Sequence, residues 1–363
     1  MAELLKERFF TEQFIDELAA VIQTNSAGFD RRKFKSLVYG DSWEAKELKE
    51  RMRHISLSLG QTLPEDYDEA ISILRKTAPH FTGFDGMVFP DFVEVFGLAH
   101  WETSLAALEF FTQFSSSEFA IRPFLKENSA DIFPRMEKWA AHKNHHVRRL
   151  ASEGCRPRLP WAMAIPELKK TPAPILPILE MLKADESDYV RRSVANNLND
   201  ISKDHPGLVL EICERWHGSH KHTNWIVKHA CRGLLKNGNS RAMIIFGFGN
   251  PKNVEIKNFT LDKPTVAIGG EFTFEFDVQL KSKPAAKLRI EYAIYFRKAK
   301  GNLSKKVFQI SENTFREAVT HFSKKHSFKD LTTRKHHPGE HQISVIVNGI
   351  EKAKTMFEVI RKS

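Results

Sequence analysis

The feature that most constrains this chain is an internal repeat. His146-Val147-Arg148-Arg149-Leu150-Ala151 returns 43 residues later as Tyr189-Val190-Arg191-Arg192-Ser193-Val194-Ala195, and a weaker copy, Trp225-Ile226-Val227-Lys228-His229-Ala230, follows after a further 36. Periods of this size with two helices per unit are those of HEAT-type arrays. In such an array the Val and Ala positions pack on the neighbouring unit, while the arginines point to one exposed face. The flanking sequence agrees, because Phe14, Leu18, Val21 and Ile22, and again Ile71, Leu74 and Ala78, keep helical spacing. Thr11, Ser116 with Ser117 ahead of Glu118, and Ser187 with Asp188 read as helix starts. Pro134, Pro157, Pro160, Pro166, Pro172, Pro174, Pro177 and Pro206 fall where helix boundaries are expected, so the helices should be short and numerous.

From about Asn253 the period changes to two. Glu271-Phe272-Thr273-Phe274-Glu275-Phe276-Asp277-Val278 alternates without a break, as a half-buried strand does. Comparable runs span Leu288 to Phe296, Lys306 to Ile310, His341 to Val347 and Thr355 to Ile360. Gly269-Gly270, Lys300-Gly301-Asn302 and Pro338-Gly339 supply turns. Roughly seven short strands in about 110 residues predict an antiparallel sandwich of immunoglobulin-like topology, without the cysteine pair of an antibody domain. A chain of 363 residues is too long for one ordinary domain. The expected architecture is an all-α HEAT-like repeat solenoid over residues 1–250, followed by an all-β immunoglobulin-like sandwich over residues 251–363.

The formal charge of +10 is unevenly spread. Residues 1–134 carry 14 Lys and Arg against 22 Asp and Glu, a balance of −8, and residues 135–240 carry 18 against 11, or +7. Arg241 adds one, and residues 251–363 carry 22 against 12, or +10. A segregated basic half fits a polyanion, with nucleic acid ahead of membrane because no basic amphipathic anchor helix stands out. No apolar run approaches the roughly 18–20 residues of a spanning helix, and the charged start MAELLKERFF is unlike a signal peptide. A soluble, cytoplasmic protein is expected. Cys155, Cys213 and Cys231 are odd in number and lack CxxC spacing, which suggests neither a disulfide framework nor a zinc site. His217, His220 and His222 resemble a metal-ligand cluster, but nothing at standard spacing completes it and a solvated loop is the better reading. No GxSxG, HExxH or P-loop occurs. Neither metal nor cofactor is expected.

The segment richest in chemistry is NHHVRRLASEGCRPRLPW, Asn144 to Trp161, with DYVRRSVANNLNDISKD, Asp188 to Asp204. On helices, Arg149 and Glu153 share a face, as do Arg192, Asn196 and Asp200. In adjacent repeats these faces would bring Glu153 and Asp200 together among arginines on one concave surface. A ladder of salt bridges that only packs one repeat on the next explains the pattern equally well. Carboxylates add nothing to phosphate binding, however, so their presence inside a basic surface suggests stabilising a cation or orienting a water. Trp161, between Pro160 and Pro166, is expected in a loop, either as an ordinary core aromatic or on the concave face, where its ring would attract a cationic group.

These residues carry a resemblance. RRLASEGCRPRLPWA, DYVRRSVANNLNDISKDHP and NWIVKHACRGLLKNG, together with KLRIEYAIYFRKAKG and HSFKDLTTRKHHPGEHQISVIVNG near the end, resemble the AlkC family of bacterial DNA glycosylases, in the HEAT-like class that includes AlkD. The resemblance covers essentially the whole chain. It implies a cytosolic, monofunctional enzyme that removes cationic alkylated bases from double-stranded DNA, chiefly 3-methyladenine but also 3-methylcytosine and 1-methyladenine, without drawing the base into a pocket. It further implies that Asp200 is the catalytic carboxylate, Glu153 a second acid and Trp161 the aromatic beside the lesion. The AlkD branch has a Trp four residues before its Asp; here that position is Asn196, which is grouped with Trp161 as a lesion contact. Arg148, Arg149, Arg156, Arg158, Arg191, Arg192, Lys203, Lys228 and Arg232 are expected to hold DNA, joined on the sandwich by Lys324, Lys325, Arg334 and Lys335. A monomer without membrane association is expected. The competing reading is a non-catalytic HEAT-repeat scaffold that binds nucleic acid.

Overall fold

Helices in the first part of the chain begin where a short polar side chain caps them. Thr11 Oγ1 accepts from the Phe14 amide at 3.3 Å to open Glu12–Asn25, and Asn144 Oδ1 accepts from the His146 amide at 2.8 Å to open His145–Gly154. The structure, a computed structural model, describes residues 5–361 apart from 41, 282–284 and 332–333. Helices follow one another from Leu5–Arg8 to Ser240–Ile245. The three copies of the repeat each fall on a helix: His145–Gly154, Asp188–Ile201 and Lys221–Ala230, the first packed on the second and the second on the third. Equivalent positions do equivalent work. Val147, Val190 and Ile226 are fully buried, and so are Ala151, Val194 and Ala230 four residues later on the same face. Each buried Val or Ile contributes about 1.5–3 kcal/mol as an upper estimate. Polar contacts pin the register: Ser152 Oγ lies 2.6 Å from Ser193 Oγ, and Asn197 Nδ2 donates to the Ser152 carbonyl at 2.8 Å.

Two local readings change. Pro134 lies inside the helix Ser129–Ala140 rather than at its boundary, at the loss of one backbone hydrogen bond. Ser116 and Ser117 do not cap a helix at Glu118. Ser117 Oγ donates to the Leu108 carbonyl at 2.8 Å and Ser116 Oγ to Glu118 Oε2 at 2.7 Å, so Glu118 sits in a turn and the helix Ile121–Glu127 starts three residues later.

The second architecture has eight strands: β1 (Val254–Leu261), β2 (Thr265–Ala267), β3 (Glu271–Leu280), β4 (Ala286–Arg297), β5 (Leu303–Phe315), β6 (Val319–Ser327), β7 (Gly339–Val347) and β8 (Ile350–Ile360). They form sheets of order β1-β3-β6 and β2-β8-β7-β4-β5, antiparallel except for the β2–β8 pair. The alternation of β3 is realised in full, with Phe272, Phe274, Phe276 and Val278 all buried. They meet Ile290, Ile294, Ile343 and Val345 in one core.

The chain divides into two compact units, residues 1–209 with 216–230, and residues 210–215 with 231–363. The expected boundary at 250 follows the change from helix to strand, but residues 231–249 belong to the second unit. Lys287 Nζ donates to the Phe246 carbonyl at 2.8 Å, Asn348 Nδ2 to that of Gly249 at 2.8 Å, and Gly238 meets Gly349 so closely that an added Cβ would lie 2.6 Å from a backbone oxygen. No helix among the described residues is long and apolar enough to cross a membrane.

The sandwich core buries His326, His336 and His341 around Phe328. Burial, helped by His336, Arg334 and Lys306, pulls His326 from 6.5 down to about 4, and His336 and His341 are lowered by burial as well. Above pH 6.5 His326 is neutral whether the chain is folded or not. Below that the unfolded chain takes up a proton that the folded chain refuses, so stability is lost as pH falls from 6.5 towards about 4. We predict a loss of about 3 kcal/mol from His326 across this window, read as a falling melting temperature. His326→Gln should flatten the slope; a flat wild-type profile would refute the assignment.

Candidate active site

The site grows from helix register. Arg149 and Glu153 lie one turn apart on His145–Gly154, with Arg149 Nη2 3.3 Å from Glu153 Oε1. Just past the end of this helix the Arg156 amide donates to the Glu153 carbonyl at 3.1 Å, and this turn folds the Arg156 side chain back over the acid. Its guanidinium then spans two repeats, with Nη1 2.7 Å from Glu153 Oε1 and Nε 2.9 Å from Asp200 Oδ2 on Asp188–Ile201. Lys203 Nζ lies 3.4 Å from the other Asp200 oxygen. At the far end Arg149 ion-pairs with Glu118 and donates to Ser116 Oγ at 2.7 Å. The result is one chain of alternating charge: Glu118, Arg149, Glu153, Arg156, Asp200, Lys203.

Glu153 and Asp200 are only 5% and 2% exposed, and each is met by a cation, as a buried acid requires. Burial alone would raise the Glu153 carboxyl, but Arg149 and Arg156 outweigh it and hold the group below its ordinary range. For both arginines burial opposes the charge and the neighbouring acids restore it, leaving each raised.

Beside this chain lies a cavity of about 580 Å³ whose walls include Phe84, Phe114, Phe119, Tyr189 and Trp161, with Glu118, His146 and Arg149 as polar members. The Arg149 guanidinium sits 4.7 Å from the centre of the Tyr189 ring. Trp161 is in a loop, as its prolines suggest, yet it is 63% exposed and has φ +62°, in the left-handed region. That conformation costs a non-glycine residue about 1–2 kcal/mol and persists only under external restraint. One restraint is Lys49, whose Nζ donates to the Trp161 carbonyl at 2.7 Å.

The structure brings Glu153 and Asp200 together as the spacing predicts, but beneath the arginines rather than on an open face. Asn196 is half-buried one turn before Asp200. Several of the arginines have partners inside the fold. Arg149 and Arg156 belong to the buried charge chain. Arg148 and Arg191, at equivalent repeat positions, both reach back to close the preceding loop, Arg148 on the carbonyls of His142 and Lys143 at 3.0 Å, and Arg191 on those of Asp185 and Glu186 at 2.9 and 2.6 Å. Arg148 also forks onto Asp185 at 2.6 and 3.0 Å. These four have geometric work inside the fold in addition to the DNA contacts expected of them. Arg192 and Lys203 keep exposed side chains and Arg158 a half-buried one, and each pairs with an acid, Asp188, Asp200 and Asp204 respectively. Lys228 is half-buried on Lys221–Ala230, and Arg232 opens the short helix Arg232–Lys236 of the second unit.

On the sandwich, Lys324 and Lys325 are exposed neighbours on β6, so they point to opposite faces of their sheet and form no single patch. Arg334 lies 4.6 Å from the Phe296 ring centre, and Lys335 is exposed. Among the described residues no three His, Cys, Asp or Glu side chains are arranged to hold a metal, at His217, His220 and His222 or elsewhere. Sequence reasoning passed over Glu118, Tyr189 and His146 as site residues. Tyr189 and His146 occupy the same position in the first two repeats and signalled themselves only as repeat markers, whereas Glu118 is brought in by a turn that looks like a helix start.

Comparison with known proteins agrees with this architecture. Residues 109–234 match the family model described as DNA alkylation repair enzyme, and residues 255–361 that described as uncharacterised protein YhaZ, C-terminal Ig-like domain. Over 360 residues the chain is 48% identical to the uncharacterized protein YhaZ of Bacillus subtilis (strain 168), covering 99% of this chain and 100% of that one. Among solved structures, the Pseudomonas fluorescens alkylpurine DNA glycosylase AlkC bound to DNA containing an abasic site analog superposes with a TM-score of 0.95 at 36% identity, covering 99% of this chain and 100% of its own. With both halves matched in order and the likeness running from end to end, the chain belongs to the AlkC family of alkylpurine DNA glycosylases.

Proposed function

We propose that this chain hydrolyses the N-glycosidic bond of cationic alkylated bases in duplex DNA, 3-methyladenine first, with 3-methylcytosine and 1-methyladenine, acting as a monomer and without a lyase step. The observation that carries the reading is the alternating charge chain, which pairs two buried carboxylates with one guanidinium and runs through Arg149 and Glu118 to the wall of an aromatic cavity. Methylation leaves the base positively charged, so no strong acid is needed for it to depart. The C1′–N bond breaks with its electron pair passing to the ring, which neutralises the base, and positive charge develops on the sugar. Anionic Asp200, with Glu153 behind the same guanidinium, stabilises that charge and orients the water whose oxygen bonds to C1′ and whose proton is released.

Glu118 adds a carboxylate at the cavity itself. The Trp161 indole favours a cationic over a neutral base by about 0.5–2 kcal/mol, and Asn196 is kept as the second lesion contact. Exposure of the indole supports contact with a base that remains in the duplex. Lys203, the cation that shields Asp200 on its more exposed side, can exchange that carboxylate for a phosphate when DNA arrives. Arg158, Arg192, Lys228 and Arg232 serve the backbone, and Lys324, Lys325, Arg334 and Lys335 serve it on the sandwich.

The deep burial of both acids also favours the scaffold reading, and Asp200→Asn separates the two. Arg156 keeps Glu153 in that variant, so we predict a stability loss of only about 1–2 kcal/mol and a melting shift below about 5 °C. Release of 3-methyladenine should fall about 10²–10⁴-fold with DNA affinity nearly unchanged. Collapse of the fold with no wild-type base release would favour the scaffold. Borohydride should trap no covalent adduct between wild type and damaged DNA, since Lys203 is a shield and not a nucleophile; a trapped adduct would overturn the monofunctional assignment.

The sandwich contacts make a separate prediction. Lys324→Ala combined with Lys335→Ala should reduce the slope of log affinity against log salt by about 1.8 if each lysine neutralises one phosphate. An unchanged slope would remove both from the DNA interface.

A further inference from the structure

The most unusual charge in the fold is Arg122. It lies on Ile121–Glu127, is fully buried, and pairs with carbonyls: Nη1 donates to Gly154 O at 2.8 Å and Arg156 O at 3.0 Å, and Nε to Met163 O at 2.6 Å. Its remaining nitrogen, Nη2, is buried without a hydrogen-bond partner. Burial draws the guanidinium down to about 10, which still leaves it charged at neutral pH. Such a charge is expensive to keep. What it supplies that an apolar side chain cannot is a rigid planar fork able to grip separate carbonyls at once.

The three carbonyls are a telling set. Gly154 ends the helix that carries Arg149 and Glu153, Arg156 bridges Glu153 and Asp200, and Met163 follows Trp161 by two residues. One guanidinium therefore ties the acid end of the 155–163 loop to its aromatic end. A second observation shows that this approach is built in, because a Cβ at Gly154 would lie 2.6 Å from Ile121 Cγ2, so only glycine lets the two helices close to this distance. A third is the strain at Trp161, whose φ of +62° needs restraint from outside the residue. Lys49 supplies that restraint on one side and Arg122 on the other.

We propose that Arg122 is a positioning residue for base release, holding the Trp161 loop at a set distance from the acid pair. This rests on the reading of Trp161 as the lesion contact. It is tested with the full chain in a double-mutant cycle of Arg122→Lys and Trp161→Ala, scored by single-turnover release of 3-methyladenine from methylated duplex and by affinity for undamaged duplex. Lysine keeps the charge but loses the fork. Arg122→Lys should slow release about tenfold with undamaged-DNA affinity within about twofold, and in the Trp161→Ala background the further loss should shrink to about twofold. Equal losses in both backgrounds would overturn the proposal.

Should Arg122→Lys fail to fold, Lys49→Met replaces it in the same cycle, with the same shrinking loss expected and equal losses overturning it. A second readout is independent of catalysis: acrylamide quenching of Trp161 fluorescence, taken as wild type minus Trp161→Phe. Quenching should rise in the positioning variant, and unchanged quenching would overturn the proposal even if the protein released no base. Absence of base release from wild type would instead count against the proposed function.

Discussion

Arg156 holds this site together. Its guanidinium bonds to Glu153 on one repeat and Asp200 on the next, at 2.7 and 2.9 Å, where neither acid is exposed by more than 5%. Two carboxylates buried side by side would repel one another and take up a proton. The arginine between them pairs with both and, with Arg149, holds Glu153 below its ordinary range, and the two repeats are locked in register by the same contact. Removing the cation alone would leave Glu153 with Arg149 at 3.3 Å and Asp200 with Lys203 at 3.4 Å as their cations among the described residues, a loss that approaches the roughly 3–5 kcal/mol of breaking a buried pair. The salt-bridge ladder anticipated as an alternative to catalysis is present, and under the proposed function the same side chain would serve both structure and chemistry.

Arginines in the repeat motif divide by position rather than by charge. The first of each Arg-Arg pair, Arg148 and Arg191, turns back to close the loop before its own helix. The second differs between repeats: Arg149 is buried between Glu118 and Glu153, whereas Arg192 is exposed and pairs with Asp188 on its own helix. A basic stretch in sequence is thus spent mainly on holding loops and acids. What remains for a polyanion is the smaller set of exposed side chains around it.

Much of this was legible because periodicity reports burial directly. The 43-residue repeat placed Val147 and Val190 in equivalent buried positions, and the alternation of Phe272, Phe274 and Phe276 marked a strand facing a core. β1 escaped notice because Asn258, at φ +52°, breaks its register between Lys257 and Thr260. β6 escaped because it is an edge strand whose Thr-His-Phe-Ser-Lys-Lys stretch is largely exposed. At the site, Glu153 and Asp200 could be paired from helical spacing, but Arg156 lies beyond the helix end, where spacing says nothing of direction. Glu118 and Arg122 were invisible for a related reason: both act through a turn and a short helix whose placement is set by tertiary contacts, Ser117 on Leu108 and Ile121 on Gly154.

The central claim is that the acids work as anions and not as proton donors, and the pH dependence of single-turnover 3-methyladenine release tests it most directly. Because Arg149 and Arg156 hold Glu153 below the ordinary carboxyl range, the rate should stay level from about pH 8 down to about pH 5. A rate that falls as pH rises through neutrality would mean that a protonated group is required, and would contradict the account.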